Sequence, residues 1–129
     1  MTIYLSSRKM KKLNYIDFKG REKMNIELRA NEVIEKEMAS DYWESFLFML
    51  SQKRGRYCFT NQRIVFQGGF ATEIEIPYAE IESIKKCCVG GLIRIMPTGI
   101  KVTMKDGKKH YLSVLKRGQI MELIQSKIN

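Results

Sequence analysis

GRYCFTNQRIVF, residues 55–66, is the stretch on which the reading of this chain turns. Alternation puts Tyr57 and Phe59 on one face of a strand, and Ile64 and Phe66 on one face of the next, with Val65 opposite. Asn61-Gln62 between them can make a tight turn, because asparagine tolerates positive φ. The same grammar continues downstream. A turn at residues 68–71 leads into a strand in which Ile74 and Ile76 alternate with Glu73 and Glu75, and Pro77 ends it. Residues 81–89 read as another strand, and two glycines then open an irregular apolar link, residues 92–96. Ile100, Val102 and Met104 alternate with Lys101, Thr103 and Lys105, Asp106-Gly107 gives the strongest hairpin signal, and residues 111–115 return. Ile120, Leu123, Ile124 and Ile128 then fall on one side of a helix over 117–128. The count is about seven antiparallel strands capped by one C-terminal helix, a mainly β fold without βαβ alternation.

Upstream the signal is weaker. Residues 25–39 fit a helical stripe or short strands, residues 42–50 (YWESFLFML) favour a strand or buried loop, and residues 52–55 read as a turn. Residues 1–23 carry seven basic against two acidic residues, a net +5, and show no sustained period. They could be a basic arm or a disordered segment. A third reading is preferred: Lys19-Gly-Arg-Glu-Lys23 can be encoded by a purine-rich ribosome-binding sequence before Met24. Residues 1–23 are then a mis-assigned leader that folding does not need, 24–129 are the domain, and the source is bacterial.

The chain's net +9 is unevenly spread: residues 24–52 sum to −4 and residues 83–129 to +8. At 129 residues the chain suits one domain with a core of its own. Cys58, Cys87 and Cys88 are an odd number without metal-ligand spacing, which points to reduced thiols in the cytoplasm, with His110 as the sole histidine. No apolar run reaches the roughly 20 residues of a membrane span.

The hairpin 55–66 resembles the T-N-x-R hairpin of GRAM domains. Ile76-Pro-Tyr-Ala-Glu-Ile81 is similar to the I-P-L-x-x-I step that follows in that family, and residues 99–108 to its G-I-x-I-x-x-x-D-G hairpin. The resemblance covers roughly residues 31–127. It implies the pleckstrin-homology (PH) fold, a curved antiparallel sandwich plugged at one end by a C-terminal helix. Residues 42–50 depart from the family pattern by being bulkier and more apolar.

Nothing here reads as an active site. Glu73/Glu75 and Glu80/Glu82 lie on strand faces expected in water, His110 suits a half-buried structural role, and no P-loop, GxGxxG, HExxH or GxSxG motif occurs. The expectation is a non-enzymatic binding module without cofactor or metal, most simply an intracellular adaptor for a protein partner, with no nucleic acid expected. The alternative is peripheral attachment to anionic, phosphoinositide-like lipid. The resemblance places three inter-strand loops, roughly 40–54, 68–72 and 106–108, at the open end of the fold. There Lys53, Arg54, Phe70, Lys105, Lys108 and Lys109 would form a basic, lipid-binding rim with one aromatic.

Overall fold

The computed structural model describes the chain at residues 11–13, 26–46, 49–68, 72–91, 93 and 95–128. The apolar alternation of the hairpin 55–66 becomes the centre of a seven-stranded antiparallel sheet. Its members are β3 (Ile34–Phe46), β4 (Met49–Thr60), β5 (Arg63–Gly68), β6 (Glu73–Pro77), β7 (Ile81–Val89), β8 (Met96–Met104) and β9 (Lys109–Ser113), in the spatial order β6-β5-β4-β3-β9-β8-β7. Two short strands, β1 (Lys11–Leu13) and β2 (Ile26–Leu28), pair with each other, so three residues of the basic extension meet the domain's first strand. The rest of the extension, and with it the reading of a leader, lies outside the described residues. A single helix, α1 (Arg117–Ile128), ends the chain.

Of the stretch read as helix or short strands, residues 26–28 and 34–39 are strand, with a turn between them. The ambiguity ends because β3 is tied along its whole length to β4, from Ile34 opposite Thr60 to Phe46 opposite Met49. The turn expected at residues 52–55 is absent, since β4 runs straight through them. Gly55 serves packing instead: a Cβ there would come within 2.8 Å of the Phe66 ring and 2.1 Å of the Gln67 carbonyl. The expected turn at Asp106-Gly107 forms, with Gly107 at φ 93°, open to glycine without strain.

One face of the curled sheet holds the main core: Tyr42, Tyr57, Phe59, Phe66, Ile100 and Leu112, among others, closed over by Ile120 and Ile124 of α1. Leu123 and Ile128 pack beside them and are only partly buried. Cys58 and Val65 are also fully buried, although they point to the other face, because Ile26 of β2 covers them.

The T-N-x-R segment earns its residues through hydrogen bonds. Asn61 does not adopt positive φ; the left-handed residue is Asn31, at φ 61°. Asn61 Oδ1 accepts from the Val33 amide at 2.8 Å and its Nδ2 donates to the Asn31 carbonyl at 3.0 Å, clamping residues 31–33 onto the β4–β5 turn. Arg63 and Glu32 are both buried; Nε donates to Oε2 at 2.7 Å and Nη2 to Oε1 at 3.1 Å. Thr60 Oγ1 donates to the same Oε2 at 2.7 Å, and the Arg29 amide to Oε1 at 2.8 Å. Burial pushes the Glu32 carboxyl up, but these donors outweigh it and hold the group below its ordinary 4.5.

Two outcomes follow for chemical denaturation. Ile124→Ala should cost about 2–5 kcal/mol, and Leu123→Ala clearly less, because only the former empties a fully buried site. Glu32→Gln should cost about 3–5 kcal/mol by taking the buried counter-charge from Arg63 and leaving it the longer contact to half-buried Glu75, at 3.6 Å. Because the Glu32 carboxyl titrates lower in the folded chain than in the unfolded one, its stabilising contribution is present above the ordinary 4.5 and lost as pH falls below it. The acid limb of the stability curve should therefore flatten in the variant.

Candidate functional site

Antiparallel pairing fixes which loops can meet. β3, β5 and β8 run toward one end of the sheet and β4, β6 and β9 leave from it. A cleft of about 760 Å3 opens there, between β6 on one side and the β8–β9 turn on the other. Tyr42 and His110 line it, with Tyr42 Oη and His110 Nδ1 at 2.7 Å. Burial, with Lys108 adding to it, lowers His110 to about 4, so the ring is neutral near pH 7. Burial and the Glu44 charge push Tyr42 up to about 12. This is a neutral hydrogen-bonded pair.

The charges around the cleft are mostly acidic. Glu44, Glu73, Glu75, Glu80 and Asp106 line it, against Lys108 and Lys109. Lys105, Lys108 and Lys109 do gather, exposed, around the β8–β9 turn. Lys53 and Arg54 do not join them as a pair. β3 and β4 stay paired out to Phe46 and Met49, so both sit within β4, opposite Tyr42 and Asp41. As neighbours in a strand they face opposite ways. Lys53 Nζ approaches Glu44 Oε1 at 3.7 Å, and Arg54 stands on the outer face. Phe70 lies outside the described residues.

The opposite, outer face of the sheet carries a feature that loop arithmetic missed. Pairing aligns Lys85, Lys101, Tyr111 and Trp43 in one row across β7, β8, β9 and β3. Trp43, Leu50 and Val89 are buried in a small cluster with Cys87 and Tyr111 packed against it. The connection that leaves β7 comes close to Leu50 of this cluster: a Cβ on Gly91 would lie 4.0 Å from the Leu50 carbonyl. On this connection and beside it, Ile93, Ile95, Met96 and Met49 are exposed, the two isoleucines at 66% and 71%. The signal in the sequence was the bulky run 42–50 together with the apolar link 92–96; which of their side chains are covered could not be read from either alone.

Cys58, Cys87 and Cys88 are free thiols, and burial pushes Cys58 up to about 12. Among the described residues no group of three His, Cys, Asp or Glu side chains is placed to hold a metal ion, and no helix is long and apolar enough to cross a membrane.

No family model and no curated protein matches the chain. Solved structures do. The Vps36 N-terminal PH domain superposes with a TM-score of 0.59 at 13% identity, covering 89% of each chain. The fold is PH-like. The C-terminal domain of an unknown protein from Leishmania infantum superposes with a TM-score of 0.60 at 22% identity, over 77% of this chain and 86% of that one. At these identities the likeness is one of fold, and the resemblance to GRAM domains rests on the sequence motifs alone.

His110 provides a pH test of the cleft. Its folded value lies below its ordinary 6.5, so the unfolded chain binds the proton first and stability should fall as pH drops from about 6.5 toward 4. In His110→Gln, which titrates no proton, that part of the slope should vanish in denaturant melts measured across the same range.

Proposed function

We propose that this PH-like domain is a non-enzymatic interaction module, an intracellular adaptor that holds a protein partner. One observation carries the reading: Ile93, Ile95 and Met96, close together in the chain after β7, expose large apolar side chains. Large apolar side chains grouped in water in this way mark a contact surface more often than a defect. Methionines add adaptability to such surfaces. The reactive groups support the same reading, since Cys58 is buried with a raised pKa and His110 is neutral and bonded to Tyr42.

A second reading, anionic lipid at the open end, is favoured by the exposed lysines of the β8–β9 turn and opposed by the five carboxylates lining the cleft beside them. A peripheral location would follow from it.

The two separate cleanly. A binding partner isolated with the full chain from a native lysate, and then reconstituted from pure components, should be lost with Ile93→Glu/Ile95→Glu at unchanged melting temperature. Cosedimentation with anionic vesicles, abolished by Lys105→Glu/Lys108→Glu/Lys109→Glu and indifferent to the isoleucine changes, would instead establish the lipid reading.

A further inference from the structure

The outer face of the sheet carries charges whose arrangement says what can sit on it. The row Lys85–Lys101–Tyr111–Trp43 crosses that face, and Lys109, two residues from Tyr111 on the same face, extends the cations toward the open end. Among the described residues none of Lys85, Lys101 and Lys109 has a recorded ion-pair partner. The next row on the other side is Cys87–Gly99–Ser113–Asp41, so a carboxylate stands two residues from Trp43 on the same face. Gln52 Nε2 donates to that carboxylate at 2.6 Å and Arg54 lies opposite it.

Strand addition is a poor way to use this surface. β7 is the last strand of its sheet, but its register shifts between Ile81 and Ser83 and again between Cys87 and Val89, and Lys85 and Lys86 are exposed along it. Bulges and edge lysines are devices that stop an edge from pairing. A second copy of the chain brought to this edge would meet the same lysines. A uniformly anionic bilayer fits less well than a polypeptide, because the surface mixes its cations with Asp41, and a peptide can place each charge separately.

We infer that the outer face of β3, β9, β8 and β7, with the connection that follows β7, docks a partner segment that presents apolar side chains to Ile93, Ile95 and Met96 and acidic side chains to Lys85, Lys101 and Lys109. The inference rests on the adaptor reading and names its surface and ligand chemistry. The segment binds by side chains, with the apolar contacts supplying most of the affinity and the lysines setting orientation and rate of encounter.

A displayed library of random peptides, selected on the immobilised full chain, tests it. Enriched peptides should carry Asp or Glu flanking Leu, Ile, Phe or Trp. Their synthetic forms should bind about tenfold more weakly to Ile93→Glu/Ile95→Glu and several-fold more weakly to Lys85→Glu/Lys101→Glu. Binding to Lys108→Glu, at the cleft, should be unchanged. Circular dichroism melts of each variant guard against loss of fold, and a milder Ile95→Ser stands in if the double change unfolds. Peptides that bind all variants equally overturn this surface and leave the adaptor reading intact. An empty selection, with vesicles of roughly 30 mol% anionic lipid bound through Ile93 and Ile95, overturns both. Sedimentation of the chain alone as a dimer that Ile93→Glu/Ile95→Glu dissolves would assign the patch to a second copy and overturn the inference.

Discussion

The buried ion pair between Arg63 and Glu32 is the constraint on which the rest of the sheet depends. A guanidinium and a carboxylate taken out of water are costly unless every lone pair and proton finds a partner. Here the carboxylate receives Arg63 twice, the Thr60 hydroxyl and the Arg29 amide, while Arg63 Nη2 also donates to the Glu27 carbonyl at 2.7 Å. That set of donors can be satisfied only if the chain before β3, the β4–β5 turn and the end of β2 all arrive together. Glu75 draws β6 into the same group, 3.6 Å from Arg63 Nη1 and bonded also to Arg29. Register in the first four strands of the sheet is thereby set at one point, with Gln62 Nε2 on the Ala30 carbonyl and the Tyr78 amide on the Gln62 carbonyl extending the hold to the step into β7. At the far side Lys127 reaches Glu35 at 2.9 Å, so the helix that closes the core is fastened to β3 just beyond this network.

Thr60, Asn61 and Arg63 were visible in the sequence as a motif, yet their partner Glu32 was not. Nothing local distinguishes Glu32 from the seven other acidic residues from position 27 to position 75; its role comes from a contact across 31 residues. Elements specified by neighbours along the chain were legible to the residue. The helix 117–128 has its stripe within twelve positions, and Asp106-Gly107 carries its own turn geometry. The first hairpin was legible only in part, because residues 52–55 (Gln-Lys-Arg-Gly) have turn composition but are held extended by pairing with β3. The same misplacement put Lys53 and Arg54 on a loop, where two adjacent cations can share a target. In a strand they cannot.

Charge is segregated by end and face, which the linear division of the chain only hinted at. The acidic lining of the cleft draws one or two carboxylates from each of β3, β6, the turn at Glu80 and the β8–β9 turn. Each is isolated or alternating in the sequence, and only the closing of the sheet makes them neighbours. From the cation-rich residues 83–129, Lys85, Lys101 and Lys109 meanwhile fall on the outer face of β7, β8 and β9. Lys53 reaches Glu44 at the cleft while Arg54 stands on the outer face, so the two cations that adjoin in sequence serve different surfaces.

The bulky run 42–50 is where these strands of argument join. An antiparallel sheet ordinarily leaves one face in water, and the outer face of β3 carries Trp43, a residue that water does not suit. Leu50, Val89, Cys87 and Tyr111 pack with it, and Trp43 is 5% exposed, with no hydrogen-bond partner for its Nε1 among the described residues. The chain that continues from Val89 comes close to Leu50 at Gly91 and then exposes Ile93, Ile95 and Met96. A connection needed only to join two strands would gain solubility from polar residues at those positions. Their apolar character is unexplained by the fold, and an unexplained apolar surface on a rigid support is what a binding module requires.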